Sequence, residues 1–268
     1  FHMWAPDVYE GAPLPITAYI AVGSKVAAFA LVLRLFAEGL LPAIDQWDLL
    51  IAGMAALTML FGNLVALAQT NVKRMLAYSS VGQVGFLLMG IAALSTLSSN
   101  GLMVHLVGYS VTNLAVFFAI TAFYNVTGKE EIADFAGLAA RSPFLAAAIT
   151  VSLFSLAGLP FLAGFVTKFY LFSAAAAEDL LWLAGVAMVA SLISLYYYLN
   201  VIREMYISPS AEGEDGIIQT PNLLYGLVSV LVIVVIFIGV YPDPVVNIIE
   251  DATAVILPAG GAATFNFR

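Results

Sequence analysis

Three side chains that can take up and release protons lie inside apolar stretches of the chain: Lys25, His105 and Lys168. Lys25 interrupts AVGSKVAAFALVLRLF, residues 21–36, where its neighbours are mostly small and aliphatic. Burial away from water disfavours the charged form of a lysine, whereas a neighbouring carboxylate favours it. A buried lysine with a movable partner can therefore hold or release a proton near neutral pH, and an ordinary histidine already titrates in that range.

Hydroxyl groups accompany these titratable residues. His105, Tyr109 and Thr112 lie at i, i+4 and i+7, which places them on one face of a helix. Ser24 and Thr167 each come directly before one of the two lysines. Because hydroxyls can relay protons through bridging water, these residues are candidate relay or lining groups of a proton path.

Each titratable residue also has an ordinary structural interpretation. Lys25 could be a structural lysine, paired with a backbone carbonyl or a carboxylate. Lys168 could extend its flexible chain to the outer end of its helix. His105 fits a hydrogen bond between two membrane helices as well as it fits a relay.

The chain offers little for metal, nucleotide or quinone chemistry. It has no cysteine, its other histidine is His2, and no carboxylate lies near His105 in the same apolar stretch. A phosphate loop, a dinucleotide fingerprint and a nucleophile motif are all missing from the sequence. The tyrosines of LYYY, residues 195–198, fit packing better than quinone stacking. We expect no metal site and no cofactor in this chain, and no nucleic-acid partner.

The composition identifies the solvent in which these residues must work. Hydrophobic residues make up 62% of the 268 residues and charged residues only 10%, with a mean hydropathy of +1.01. A water-soluble domain of this size could not keep that balance, so the chain is an integral membrane protein. A span needs about 20 apolar residues and must be helical, because lipid offers the backbone no hydrogen-bond partners.

The sequence predicts an all-α bundle of transmembrane helices that forms a single membrane domain over residues 1–268. Lys25 lies about 12 residues into its span, roughly 18 Å deep at 1.5 Å per residue, near the middle of the bilayer. Keeping a lysine there costs on the order of 3 kcal/mol, which favours a functional role. The seven predicted spans are 13–37, 47–70, 74–96, 101–125, 143–177, 181–206 and 221–241.

The fifth predicted span is too long for one membrane helix. Residues 143–177 would form a helix of about 50 Å, well beyond the thickness of the hydrocarbon layer. Gly158, Pro160 and Gly164 lie in its middle and disfavour continuous helix. We therefore predict a broken helix, with a proline kink in a tilted span as the alternative. Lys168 lies about one turn beyond Gly164, just past the predicted break.

Three segments outside the predicted spans allow a structural prediction. The segment GKEEIADFAGLAARSP, residues 128–143, is polar enough to predict a helix at the membrane interface. Residues 242–257 begin with two prolines, Pro242 and Pro244, and continue with an amphipathic pattern. This pattern predicts a short helix lying at the surface. A further connection, SPSAEGEDGIIQTP at 208–221, is predicted to be an acidic turn region.

The basic residues predict the orientation of the chain. If the residues before the first span face the cytoplasm, five basic residues lie on that side and two on the other, which favours this orientation. Lys25 and Lys168 lie within spans and do not count. The five are Lys73, Arg74, Lys129, Arg141 and Arg203, and the two are Arg34 and Arg268.

Several segments together resemble a known family. They are FHMWAPDVYEGAPLPITAYIAVGSKVAAF, GNLVALAQTNVKRMLAYSSVGQVGFLLMGIAA, SLAGLPFLAGFVTKFYLF and SLYYYLNVIREMY. In this order they resemble the antiporter-like subunits of respiratory complex I, the proton-pumping NADH:quinone oxidoreductase. Among these subunits the resemblance is nearest to subunit N, called subunit 2 in mitochondria and chloroplasts.

The resemblance implies a fold and a set of functional residues. The family has fourteen spans with two inverted repeats of five helices, and helices 7 and 12 are broken. The present spans would be helices 8 to 14, which comprise the last helix of the first repeat, the second repeat and a C-terminal helix. Lys25 then matches the central lysine of helix 8, Lys168 the lysine of helix 12, and His105 a polar position of helix 11. The helix-5 glutamate and helix-7 lysine of the family would lie upstream of Phe1.

The resemblance also implies partners. NADH, FMN, iron–sulfur clusters and quinone would be bound by other subunits, in a bacterial inner membrane or a thylakoid membrane. Two other functions stay open: a subunit of a multi-subunit cation/proton antiporter or membrane-bound hydrogenase, and a non-conducting structural subunit. The chain would be a fragment or half of a split gene, and without the upstream helices we expect Lys25 to be left uncovered.

Overall fold

The computed structural model describes residues 2–210, 216–218 and 220–254. Within these ranges the regular structure is helical, apart from an isolated β-bridge between Asn71 and Glu131. The predicted all-α class is confirmed. The α-helices are α1 (Trp4–Gly11), α2 (Leu14–Arg34), α3 (Ile44–Ala66), α4 (Val72–Ala92), α5 (Thr96–Thr127), α6 (Leu138–Arg141), α7 (Pro143–Ala157), α8 (Ala163–Ala177), α9 (Leu181–Tyr206), α10 (Asn222–Val240) and α11 (Asp243–Thr253).

Helices α2 and α3 belong to one continuous helical run of 53 residues, Leu14–Ala66. A straight helix of that length would measure about 80 Å, more than twice the hydrocarbon thickness. The run is divided by a π-helix, Leu35–Leu40, and a 3-10 turn, Leu41–Ala43. There the indole nitrogen of Trp47 donates to the Leu40 carbonyl at 2.9 Å. The run therefore consists of two helices, α2 and α3, at the positions of the first two predicted spans.

Five helical runs of the described chain are long and apolar enough to cross a membrane: Leu14–Ala66, α4, α5, α9 and α10. Helices α7 and α8 are apolar but shorter, since they are the two halves of the predicted fifth span. The total of seven spans stays a prediction.

Helices α4 and α5 form the centre of the bundle. In their most apolar stretches 83% and 72% of the residues are buried, against 33% or less in the other three runs. Glycine permits the closest approaches: a Cβ on Gly62 would collide with the α4 backbone at Gly82, and one on Gly85 with Met59 of α3. Small residues let membrane helices approach closely enough for backbone contacts to replace lipid.

The fourth predicted span, 101–125, is longer in the structure. Helix α5 begins after Ser95, whose hydroxyl accepts from the Ser98 amide at 3.3 Å and forms a capping box with it. It ends at Gly128, whose left-handed φ of 68° stops the helix. Residues 97–100, which lie between the third and fourth predicted spans, belong to this helix.

The predicted break in the fifth span is confirmed. Helix α7 ends at Ala157 and α8 begins at Ala163. Gly158 follows α7 with φ of 93°, a left-handed conformation that favours glycine, and Pro160 lies in the turn that follows. Gly164 then brings α8 against the backbone of α7 at Ser155.

Two local predictions need correction. The segment 128–143 is not one interfacial helix but a 3-10 turn, Ile132–Phe135, and the short helix α6, because Gly137 between them adopts a φ of 68°. Helix α1 was not predicted at all. It is fastened to α4 by Lys73, which donates to the Glu10 carbonyl at 2.5 Å, and by Arg74, which pairs with Asp7 at 3.0 Å.

The predicted surface segment 242–257 contains α11, whose buried residues include Val246 and Ile249. The Thr253 hydroxyl donates to the Asn100 side chain of α5, which fixes the end of α11 to the bundle. Residues 255–257 of this segment lie outside the described residues, as do 211–215 and 219 of the acidic connection and Arg268 of the orientation count.

Gly164→Ala should destabilise the protein strongly. The added Cβ would collide with the Ser155 carbonyl, a backbone atom that cannot move aside. Overpacking of this kind costs about 1–3 kcal/mol or more. The melting temperature of the purified protein in detergent measures the loss. Gly185→Ala is the matched control, because nothing lies within 4 Å of a Cβ at that position; equal melting temperatures for the two variants would contradict the close contact.

Candidate functional site

Lys25 is buried in the bundle, with 8% of its surface exposed. Its ammonium donates to the Ala21 carbonyl at 3.0 Å, to the Tyr109 hydroxyl at 3.0 Å and to the Ser80 hydroxyl. The Tyr9 hydroxyl lies 3.4 Å from the same nitrogen, as a fourth oxygen for three ammonium hydrogens. The expectation that Lys25 would be left uncovered was wrong, because α1, α4 and α5 surround it with hydroxyl groups.

The hydroxyls around Lys25 also bond to one another. Ser80 lies 3.1 Å from the Tyr9 hydroxyl and 3.3 Å from that of Tyr109. Among the described residues no carboxylate forms an ion pair with Lys25. The charge is therefore solvated by dipoles that can also pass a proton, since a hydroxyl both donates and accepts.

Lys168 is 3% exposed and reaches back to the break between α7 and α8. Its nitrogen donates to the carbonyls of Leu156 at 2.9 Å and Ala157 at 3.1 Å, and to the Ser191 hydroxyl of α9 at 3.2 Å. Three acceptors match the three hydrogens of an ammonium group. Lys168 therefore points into the bundle, and does not extend toward the far end of its helix.

The break itself creates this lysine site. In a continuous helix the Leu156 carbonyl would accept from the amide of residue 160, but Pro160 has no N–H. The last carbonyls of a helix also carry partial negative charge, which favours a cation beside them. Lys168 supplies the donors and the positive charge that the end of α7 lacks.

His105 lies on α5 and is 2% exposed. Its Nδ1 is 2.9 Å from the Thr167 hydroxyl, which in turn donates to the Gly164 carbonyl at 3.2 Å. Because the single hydroxyl hydrogen of Thr167 is used by Gly164, Thr167 must accept from His105, so Nδ1 carries the hydrogen of the neutral ring. Nε2 is then a bare acceptor, and it has no partner among the described residues.

A small cavity of about 10 Å³ lies beside Lys168, which lines it together with Tyr109. Tyr109 connects the Lys25 site with this cavity, since its hydroxyl bonds to Lys25 and the residue also lines the cavity. The other lining residues come from α4, α5, α7 and α8. They include Gln83, His105, Thr112 and Ser155.

The structure brings most of the predicted site residues together. Thr112 donates to the Gly108 carbonyl at 2.7 Å and contacts the Ser155 hydroxyl at 3.1 Å, which itself accepts from the Gly164 amide at 3.1 Å. Ser24 stands apart, because it is exposed and donates to the Ile20 carbonyl of its own helix at 2.6 Å.

Several site residues were missed from the sequence. Ser80 and Gln83 lie one turn apart on α4, and that polar stripe in an apolar helix was a signal that could have found them. Ser155 and Ser191 gave no comparable signal, and Tyr9 lies outside the predicted spans. The hydrogen-bond partners of these three residues include residues from other helices, which a local pattern in the sequence does not reveal.

The tyrosines of residues 195–198 differ in their surroundings. Tyr197 is buried and donates to Asn63 of α3 at 2.9 Å, while Tyr198 bonds to Ser79 of α4. Tyr196 is 71% exposed. The buried pair joins α9 to α3 and α4, which is the packing role that the sequence favoured.

Among the described residues no group of three or more histidine, aspartate, glutamate or cysteine side chains could hold a metal ion.

Comparison with known proteins identifies the family. A family model described as "NADH:quinone oxidoreductase/Mrp antiporter, TM" matches residues 1–194. The chain belongs to this family. Subunit N of NADH-quinone oxidoreductase from Moorella thermoacetica is 48% identical over 248 residues, which are 92% of this chain and 52% of the relative. Subunit 2 of NAD(P)H-quinone oxidoreductase from Crocosphaera subtropica is 38% identical over 227 residues, 85% of this chain and 44% of the relative. The chain thus spans about half the length of the curated relatives it matches.

Solved structures of membrane complexes share the fold. A chain of respiratory complex I from Thermus thermophilus with bound aureothin matches with a TM-score of 0.77 at 30% identity, over 92% of this chain and 54% of that one. A chain of the Mrp complex from Dietzia sp. matches with a TM-score of 0.86 at 21% identity, over 96% of this chain and 56% of that one. The antiporter-like fold that the sequence predicted is confirmed.

Ser155→Ala should destabilise the protein, because it leaves the buried Gly164 amide without its acceptor. An unsatisfied buried amide costs about 1–3 kcal/mol. Ser229→Ala is the matched control: that exposed hydroxyl donates to the Tyr225 carbonyl of its own helix, and its loss should change stability by less than about 0.5 kcal/mol. Detergent unfolding curves of both variants give the comparison, and equal stability would argue against a role of Ser155 in joining the two half-helices.

Proposed function

We propose that this chain carries part of the proton path of a membrane subunit of an NADH:quinone oxidoreductase. The observation that supports it is the pair of buried lysines, Lys25 and Lys168, neither of which forms an ion pair among the described residues. A buried ammonium in a membrane protein is costly, and such residues mark ion and proton pathways. The relatives named NADH-quinone oxidoreductase subunit N supply the reaction class.

The path runs from Lys25 to Lys168 along groups that can exchange protons. The ammonium of Lys25 bonds to the hydroxyls of Ser80 and Tyr109. Tyr109 lines the cavity that His105 and Lys168 also line. A proton leaving Lys25 through these hydroxyls would reach the second lysine by way of the cavity, through water that bridges polar groups.

Other subunits would carry out the redox chemistry. We infer that NADH, FMN, iron–sulfur clusters and quinone bind to partner chains, and that this chain contributes only the proton path. The half of the relatives that this chain does not cover would hold the glutamate and lysine that complete the path. The bacterial and cyanobacterial relatives favour a bacterial inner membrane or a thylakoid membrane.

A cation/proton antiporter subunit is the second candidate. The description of the family model includes the Mrp antiporter, and the Mrp complex from Dietzia sp. shares the fold. The 48% identity to a subunit N favours the oxidoreductase. A non-conducting structural subunit is the third candidate, and it predicts that both lysines can be neutralised without loss of pumping.

Lys25→Ala and Lys25→Arg distinguish a proton relay from a fixed charge. As a relay, Lys25 must release its proton, so Ala should lower proton pumping strongly while the complex still assembles. Arg should be nearly as damaging, because a guanidinium keeps its proton in a protein. NADH-driven proton uptake and assembled subunit content are measured in membrane vesicles that contain the complete complex.

Arg34→Ala is the control for loss of a positive charge on the same helix, since among the described residues Arg34 forms its ion pair with Glu38, at the exposed end of α2. It should pump normally. Full pumping in Lys25→Arg together with loss of assembled complex in Lys25→Ala would leave Lys25 only a fixed-charge role.

A further inference from the structure

A groove lies along α9, near the end of that helix, and most of the residues that line it are exposed. Its volume of about 390 Å³ falls within the usual range of ligand pockets, roughly 300–1,000 Å³. Arg203 is the one charged side chain in the described part of its lining. The other lining residues include Tyr196, Leu199, Asn200, Tyr206 and Ile207. The groove therefore combines a single positive charge with an aromatic and aliphatic surface.

Aromatic residues indicate the depth of this groove in the membrane. Trp182 near the start of α9 and Tyr206 at its end are both exposed. About 36 Å of helix separates them, and exposed tryptophan and tyrosine prefer the two membrane–water interfaces. Arg203 lies within one turn of Tyr206, so its guanidinium lies at the depth of the lipid headgroups. On the predicted orientation this end of α9 faces the cytoplasm.

The guanidinium of Arg203 is available for a ligand. Arg203 is exposed, and it takes part in none of the ion pairs that the described residues form. Asn200 and Tyr206 lie three residues before and after it, on the same side of the helix, and add an amide and a hydroxyl. A guanidinium binds a phosphate through two parallel hydrogen bonds. This end of the groove is therefore suited to a phosphate group.

The same face of α9 is apolar over the next part of the helix. Leu199, Tyr196, Leu192 and Val189 follow Arg203 at alternating steps of four and three residues, and all four are exposed. Such spacing keeps them on one side of a helix. The stripe from Arg203 to Val189 is about 21 Å long, whereas one leaflet of the hydrocarbon layer is about 15 Å thick. An acyl chain can therefore follow it through the whole leaflet.

We propose that this groove binds one phospholipid with an anionic headgroup. The headgroup phosphate accepts hydrogen bonds from Arg203, and one acyl chain lies along Leu199, Tyr196 and Leu192. Basic pockets at the cytoplasmic side of membrane helices bind anionic headgroups in this way. The headgroup is anionic because the ammonium of a zwitterionic lipid would bring a second cation toward Arg203.

The distribution of polarity favours a lipid over a helix of a partner subunit as the occupant. The charge of the groove lies at the interfacial end alone, and the rest of the face offers only apolar and aromatic contacts. A phospholipid has the same arrangement along the membrane normal, with its charge at the interface and hydrocarbon below. The inference does not depend on the proposed proton path, since neither Lys25 nor Lys168 lines the groove.

The test measures which lipid contacts α9 in the complete complex. The complex is placed in vesicles that contain a small share of photoreactive phosphatidylglycerol or, in parallel, of photoreactive phosphatidylcholine with the same acyl chains. After illumination, the crosslinked residues of this chain are located by mass spectrometry. In the unaltered protein we expect crosslinks on α9 between Val189 and Ile207. Phosphatidylglycerol should exceed phosphatidylcholine about fivefold, the effect of one basic side chain near an anionic lipid.

Variants of Arg203 test the headgroup contact. Arg203→Gln should bring the ratio of the two yields close to one, whereas Arg203→Lys keeps the charge and should retain most of the preference. Arg34→Gln is the matched control, because Arg34 is also exposed near the end of a helix but pairs with Glu38 at 3.1 Å. This control should keep the fivefold preference on α9.

A second pair of variants tests the groove itself. Leu199→Trp should lower the yield of both lipids on α9, because the larger side chain occupies the groove while Arg203 is kept. Leu57→Trp is its control, since Leu57 is an exposed residue of α3 that does not line the groove. Its yields on α9 should equal those of the unaltered protein.

Three results would overturn the inference. The first is an equal yield of the two lipids in the unaltered protein, as expected if a carboxylate of the acidic connection 208–221 pairs with Arg203. The second is the absence of crosslinks on α9 with either lipid, as expected if a partner subunit fills the groove. The third is loss of the phosphatidylglycerol crosslinks in excess inorganic phosphate at matched ionic strength, which would indicate a site for free anions. If Arg203→Gln fails to assemble, the ratio in the unaltered protein and in Arg203→Lys decides the question.

Discussion

The structure depends on how the free carbonyls at the end of α7 are satisfied inside a membrane. Lipid provides no donors, so a helix that stops in the middle of the bilayer must find them within the protein. Pro160 removes an amide that a continuous helix would have used, and Lys168 takes its place by donating to Leu156 and Ala157. The same interaction buries a positive charge and joins α8 to the end of α7, beside a cavity that Lys168 and Leu156 both line. The break between α7 and α8, which would leave unpaired carbonyls in an isolated membrane helix, thus contributes to the polar interior of this bundle.

The two lysines are held in different ways, and the difference bears on the proposed proton path. Lys168 is solvated mainly by backbone carbonyls, which accept hydrogen bonds but cannot pass a proton onward. Lys25 is solvated mainly by the hydroxyls of Tyr9, Ser80 and Tyr109, which can do both. The groups that can relay a proton are therefore concentrated around Lys25 and around the cavity, and the carbonyls of α7 hold Lys168 at the far end.

Close packing keeps this polar interior away from lipid. Glycines on α3 and α4 bring those helices into backbone contact, and Gly164 does the same for the two halves of the broken span. Helix α1 covers the Lys25 site and is held in place by the ion pairs of Arg74 and the bond of Lys73 to Glu10. Lys25 is thus covered by α1, a short helix of eight residues that cannot span the membrane. Charged residues near the start of α4 hold α1 in this position.

The sequence by itself determined the membrane class, the positions of the apolar helices and the break at Gly158, Pro160 and Gly164. These follow from local properties: hydrophobicity over about 20 residues, the missing amide of proline and the freedom of glycine. It also identified Lys25, His105 and Lys168, because a charged or titratable residue in an apolar run stands out on composition alone. Only the tertiary structure decided which groups surround them. Ser80, Gln83 and Ser155 are ordinary polar residues until helices distant in sequence place a lysine, a polar cavity or a free amide beside them, and Ser24 lies on an exposed side of its helix. Hydrogen bonds between helices depend on packing and relative rotation, which no local pattern in the chain specifies.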